Sequence, residues 1–84
     1  MSAARIYRGT ASSWVAAQTA GLAEPEEARQ HIVACRRAAL RHELLVEHSL
    51  GRVSQDELLV GQRLLPTWHG EFLSEMVDVV RKMS

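Results

Sequence analysis

Residues 25–50 read PEEARQHIVACRRAALRHELLVEHSL, with no glycine and no second proline, and Gly51 closes the stretch. Proline suits the first turn of a helix, where its missing N–H would have no intrahelical partner. Glu24, Glu26 and Glu27 place negative charge at the positive end of the helix dipole. The stretch therefore predicts one helix from Pro25 to Leu50, about 39 Å long at ~1.5 Å per residue, and the rest of the chain is organised around it.

At about 100° per residue, Ala28, Ile32, Cys35, Ala39, Val46 and Leu50 form one apolar stripe, widened by Ala38 and Leu45. This is the expected core side. Val33, Leu40 and Leu44 form a second, narrower stripe, flanked by the basic cluster Arg36, Arg37 and Arg41. A surface helix of a monomer needs only one apolar stripe. The second is the expected contact surface for another protein, or for a second copy of the chain in a homodimer. Its three apolar residues would supply the burial, and its three arginines would grip acidic groups.

Downstream, Gly51-Arg52-Val53-Ser54 is a tight turn, and Ser54-Gln55-Asp56-Glu57 matches a capping box leading into Leu58-Leu59-Val60. A glycine stop followed by a capped start predicts an antiparallel helical hairpin. Its second helix is expected to end or kink at Pro66. A final helix is expected from Trp68 to about Met83, capped by Thr67, with Trp68, Phe72, Met76, Val79 and Met83 inward and Leu73, Val77 and Val80 widening that face. Upstream, Thr10, Ser12 or Ser13 can cap a short first helix that runs to about Thr19 and stops at Gly21. Residues 1–9 are then a flexible or extended arm. The expected fold class is all-α, a small three- to four-helix bundle in a single domain, residues 1–84, built on the hairpin.

Composition narrows the functional classes. Eighty-four residues bury only roughly 60–65% of their unfolded surface, so the core is small. Cys35 is the sole cysteine, which excludes a disulfide within one chain and suits a reducing compartment. Ten basic residues balance ten acidic ones. That neutrality argues against a nucleic-acid binder that works by neutralising phosphates, and a DNA-binding repressor or antitoxin stands as an alternative without a defined recognition helix. No apolar run approaches the ~20 residues that span a bilayer, and the N-terminus has no signal-peptide pattern. The expectation is a soluble cytoplasmic protein that needs no membrane.

His31 and Cys35, four residues apart, share a helical face and could supply half of a zinc site. The run His31-Ile32-Val33-Ala34-Cys35-Arg36-Arg37-Ala38 resembles the H-x-x-x-C-x-x-C helix of zinc-binding anti-sigma domains, with Ala38 where the second cysteine of that motif stands. The resemblance covers about a quarter of the chain. It implies a helical module that sequesters another protein, and it makes a metal- or redox-responsive regulator centred on His31 and Cys35 the second reading. Without the second thiolate no metal and no other cofactor is expected. Trp68-His69-Gly70 resembles the turn of the small secreted WXG helical hairpin proteins, although only fourteen residues follow it. Its expected role is structural, Trp68 anchoring the turn and Gly70 allowing close packing. His42 beside Glu43 and His48 beside Glu47 point about 100° apart on a helix, so neither pair converges for acid–base work. The sequence thus predicts a non-enzymatic adaptor, inhibitor or regulatory subunit acting through Val33, Leu40, Leu44, Arg36, Arg37 and Arg41.

Overall fold

The computed structural model describes residues 3–83. The fold is of the expected all-α class: α1 (Ala3–Thr19), α2 (Pro25–Ser49), α3 (Gln55–Leu64), a 3-10 turn at Leu65–Thr67, and α4 (Leu73–Met83). The chain divides into two compact units, Met1–Ala39 and Leu40–Ser84. The boundary falls inside α2, which is continuous through it.

The first unit is a helical hairpin of α1 and the N-terminal part of α2. Its buried side chains are small: Ala4 and Ala11 from α1, Ala28, Ile32 and Ala39 from α2. Alanine stripes let two helices approach closely but remove little apolar area from water. α1 begins well before its expected start, so residues 3–9 belong to the helix and are not an arm; Met1 and Ser2 lie outside the described residues. The expected caps explain the discrepancy. Thr10 Oγ1 donates to the Ile6 carbonyl at 3.1 Å and Ser13 Oγ to the Gly9 carbonyl at 3.1 Å. These hydroxyls bond back one turn inside a helix instead of capping its start, a geometry open to any Ser or Thr.

Both expected glycine stops are present, and both take the same form. Gly21 and Gly51 have φ of 74° and 78°, a left-handed conformation that glycine adopts without a Cβ penalty. Gly21 N–H donates to the Gln18 carbonyl and Leu22 N–H to the Ala17 carbonyl; Gly51 N–H donates to His48 and Arg52 N–H to Glu47. Each is a Schellman motif that satisfies the last carbonyls of its helix.

The second unit contains the leucine-rich core: Leu40 and Leu44 of α2, Val53 of the turn, Leu58 of α3, Leu65, and Met76 and Val80 of α4. Val60, Leu64, Trp68, Leu73 and Val77 pack around it. The hairpin of α2 with α3 forms as expected. Its capping box is complete, with Glu57 N–H donating to Ser54 Oγ at 3.2 Å and Ser54 N–H donating to Glu57 Oε1 at 2.9 Å. Gly61 brings the two helices together: a Cβ there would lie 2.7 Å from Leu44 Cδ2. The expected last helix is shorter than its pattern. Trp68–Phe72 is not helical, and α4 starts at Leu73. Pro66 and Gly70 lie in or beside this segment, and Gly70 lets the chain pass beneath Trp68, whose Nε1 would lie 2.7 Å from a Cβ. With α4 starting later, its inward side is Met76 and Val80 with Leu73 and Val77, while Phe72 and Met83 are exposed.

Two outcomes follow from this packing. Gly61→Val should lower unfolding stability by about 2 kcal/mol in urea melts, because overpacking against a fully buried leucine exceeds what removing a helical glycine returns. The double variant Gly61→Val with Leu44→Ala should lose less stability than the sum of the two single losses, because the shorter side chain removes the clash. Glu57 accepts from the Ser54 backbone N–H and from Arg81, and these bonds hold its carboxyl below the usual 4.5. Its stabilising contribution is therefore complete above about pH 5 and drains as pH falls through the lowered folded-state pKa. The Glu26 carboxyl, lowered by Arg29, behaves alike, so the informative quantity is a difference. The gap in Tm between the wild type and Glu57→Gln should be open at neutral pH and close in acid below 4.5.

Candidate protein-contact surface

The six residues expected to form the contact surface have different fates. Leu40 is 0% exposed and Leu44 is 1% exposed. Both belong to the core of the second unit, which corrects their assignment as a partner-facing stripe. The physical reason is that α3 and α4 present leucine, methionine and valine to this part of α2, and that covering exists only once the hairpin has closed. Val33 is half-buried. Arg36 and Arg37 are half-buried and engaged in interactions of their own, and Arg41 is exposed.

The consequence appears on the other stripe. Ala28, Ile32 and Ala39 are buried as expected, and Cys35 and Ala38 are half-buried. Further along, the residues expected to be core are not: Leu45 is 38% exposed, Val46 51% and Leu50 58%. Val46 and Leu50 are one turn apart on the same face, and Leu45 lies beside them with Ser49 between. Together they cover an arc of roughly 140° over the last two turns of α2. Ser49 Oγ donates to the Val46 carbonyl at 2.8 Å, so its hydroxyl is turned to the helix and adds little polarity to the arc. Leu59 of α3 is 42% exposed.

His31 and Cys35 do not converge on a third ligand. Among the described residues no group of three or more histidine, cysteine or acidic side chains could hold a metal ion. The His31 ring instead stacks on Trp14 of α1, with centroids 4.2 Å apart and planes 3° from parallel. Its Nε2 is 3.9 Å from Glu27 Oε1, one turn earlier. The half-buried Cys35 carries a free thiol. This stack joins α1 to α2, and sequence spacing alone could not reveal it, since Trp14 and His31 are in different helices.

Gly61 is the residue that sequence reasoning passed over. A glycine inside a helical pattern costs about 1 kcal/mol against alanine, and that cost is itself the signal of a packing role. No described helix is long and apolar enough to cross a membrane. No protein-family model matches the chain, and no characterised protein or solved structure matches it.

Aromatic stacking of this kind contributes roughly 0.5–1.5 kcal/mol beyond burial. His31→Ala should therefore lower stability by about 1 kcal/mol and speed amide hydrogen exchange throughout α1, while leaving exchange in α3 and α4 unchanged.

Proposed function

We propose that this chain is a small non-enzymatic protein-binding module, an adaptor, inhibitor or regulatory subunit, whose contact surface is the Leu45–Val46–Leu50 flank of α2. The observation that supports it is the exposure of three large apolar side chains on two successive turns, beside a core that is complete without them. Isolated exposed leucines are ordinary; apolar side chains that adjoin one another mark contact surfaces. Arginine, which makes up all but one of the basic residues, suits interface contacts better than lysine. The same flank could serve a second copy of the chain, which makes a homodimer one form of the proposal.

The double variant Val46→Asp with Leu50→Asp tests the reading. Both positions are solvent-facing, so stability should change by less than about 1 kcal/mol. Partner recovery from an extract of the source cell should be lost, or, for the homodimer, the mass by light scattering should halve. Unchanged recovery and unchanged mass would sink the proposal.

A further inference from the structure

α1 is built differently from the other three helices. α2, α3 and α4 each carry acidic residues in the first turn and a basic side chain in the last, which complement the helix dipole. α1 has neither, and Arg5 places positive charge in its first turn. Gly9 stands inside it, and a Cβ there would meet nothing within 4 Å. Gly61 is required by a close approach; Gly9 is not, so it weakens α1 without a gain in packing. Thr10, Ser13 and Thr19 donate their hydroxyls to carbonyls one turn back, which also destabilises a helix slightly.

Docking offsets little of this. The side chains that α1 buries are Ala4 and Ala11, each a single methyl. Trp14 is half-buried and stacks on His31. Arg5, Tyr7 and Arg8 have interactions of their own, at exposed or half-buried positions where polar contacts add little. A helix of seventeen residues with a central glycine and an adverse first turn is marginal in isolation, so α1 unfolds when it leaves α2. The second unit has its own core, and among the described residues none of α1 belongs to that cluster.

We infer that α1 is a lid on α2, one that comes off by unfolding while the second unit stays folded. What it uncovers is the apolar side of α2 within the first unit, Ala28 and Ile32, with the half-buried Cys35 one turn from His31. At about 100° per residue, this side continues along the same helix into Val46 and Leu50. The lid therefore sets how far the exposed flank extends toward the N-terminal end of α2. Its role in regulating contact rests on the protein-binding reading, whereas the opening itself involves no partner, so the two fail separately.

The test is native-state amide hydrogen exchange on the intact chain, together with the rate at which Cys35, the sole thiol, reacts with an aromatic disulfide reagent. Amides in the middle of α1 should exchange as one group, roughly tenfold or more faster than those near Leu44 and Leu58. Gly9→Ala adds no contact and restores helix propensity, so it should slow both α1 exchange and Cys35 labelling about fivefold. Gly9→Pro removes a helical hydrogen bond and breaks α1. It should bring α1 exchange close to the unfolded-chain rate and speed Cys35 labelling, with exchange in α3 and α4 within about twofold of the wild type. Amides of α1 that exchange no faster than those near Leu44 would show that the chain opens only as a whole, and would overturn the inference. So would a Gly9→Pro chain that loses protection in α3 and α4, or a labelling rate indifferent to both variants. Opening as described, alongside partner recovery indifferent to Val46→Asp with Leu50→Asp, would support the lid and sink the contact surface.

Discussion

The packing of the second unit depends on one close approach, that of Leu44 on α2 to the backbone of α3 at Gly61. A Cβ at position 61 would lie 2.7 Å from Leu44 Cδ2, so any other residue there requires that methyl to shift. Leu40 and Leu44 of α2, Leu58 of α3, and Met76 and Val80 of α4 belong to the same buried cluster. The two hydrogen bonds of the capping box fix where α3 begins, and the left-handed glycine at 51 fixes where α2 ends. Between them these constraints set which residue of α2 faces Gly61. Arg81 then ties the end of α4 to the start of α3 through Glu57.

α2 serves two different kinds of packing along its length. Its N-terminal part contributes alanine and one isoleucine to the hairpin with α1, while its C-terminal part contributes Leu40 and Leu44 to the second core. On a helical wheel these are two stripes, about 100° apart at Ala39 and Leu40. Each stripe is used over only part of the helix. That is why a helix with two apolar sides is compatible with a single chain, and also why Val46 and Leu50, on the first stripe but beyond the hairpin that uses it, remain exposed.

The features most legible in the sequence were those set by local chemistry: the proline start of α2, the glycine stops, and the Ser54–Glu57 box. Each is decided within a turn of chain, so no distant residue can overrule it. The start of α1 was less legible, because Thr10 and Ser13 carry the same hydroxyl whether they cap a helix or bond back to the previous turn. The burial of Leu40 and Leu44 was illegible for a different reason. A helical wheel ranks faces by the apolarity of one helix, whereas burial depends on what the other elements bring to it, and α4 begins five residues after its apolar pattern suggests.

The contrast between the two cores has a consequence for the helix they share. Each fully buried leucine, methionine or valine in the second unit removes an amount of apolar surface worth roughly 1.5–3 kcal/mol, whereas a buried alanine carries only a single methyl. Local opening costs least where apolar contacts are sparse. A single uninterrupted helix therefore has a gradient of resistance to opening along its axis, because its leucine end buries more apolar surface than its alanine end. Local opening of α2 should therefore cost least at its alanine end and most around Leu40 and Leu44.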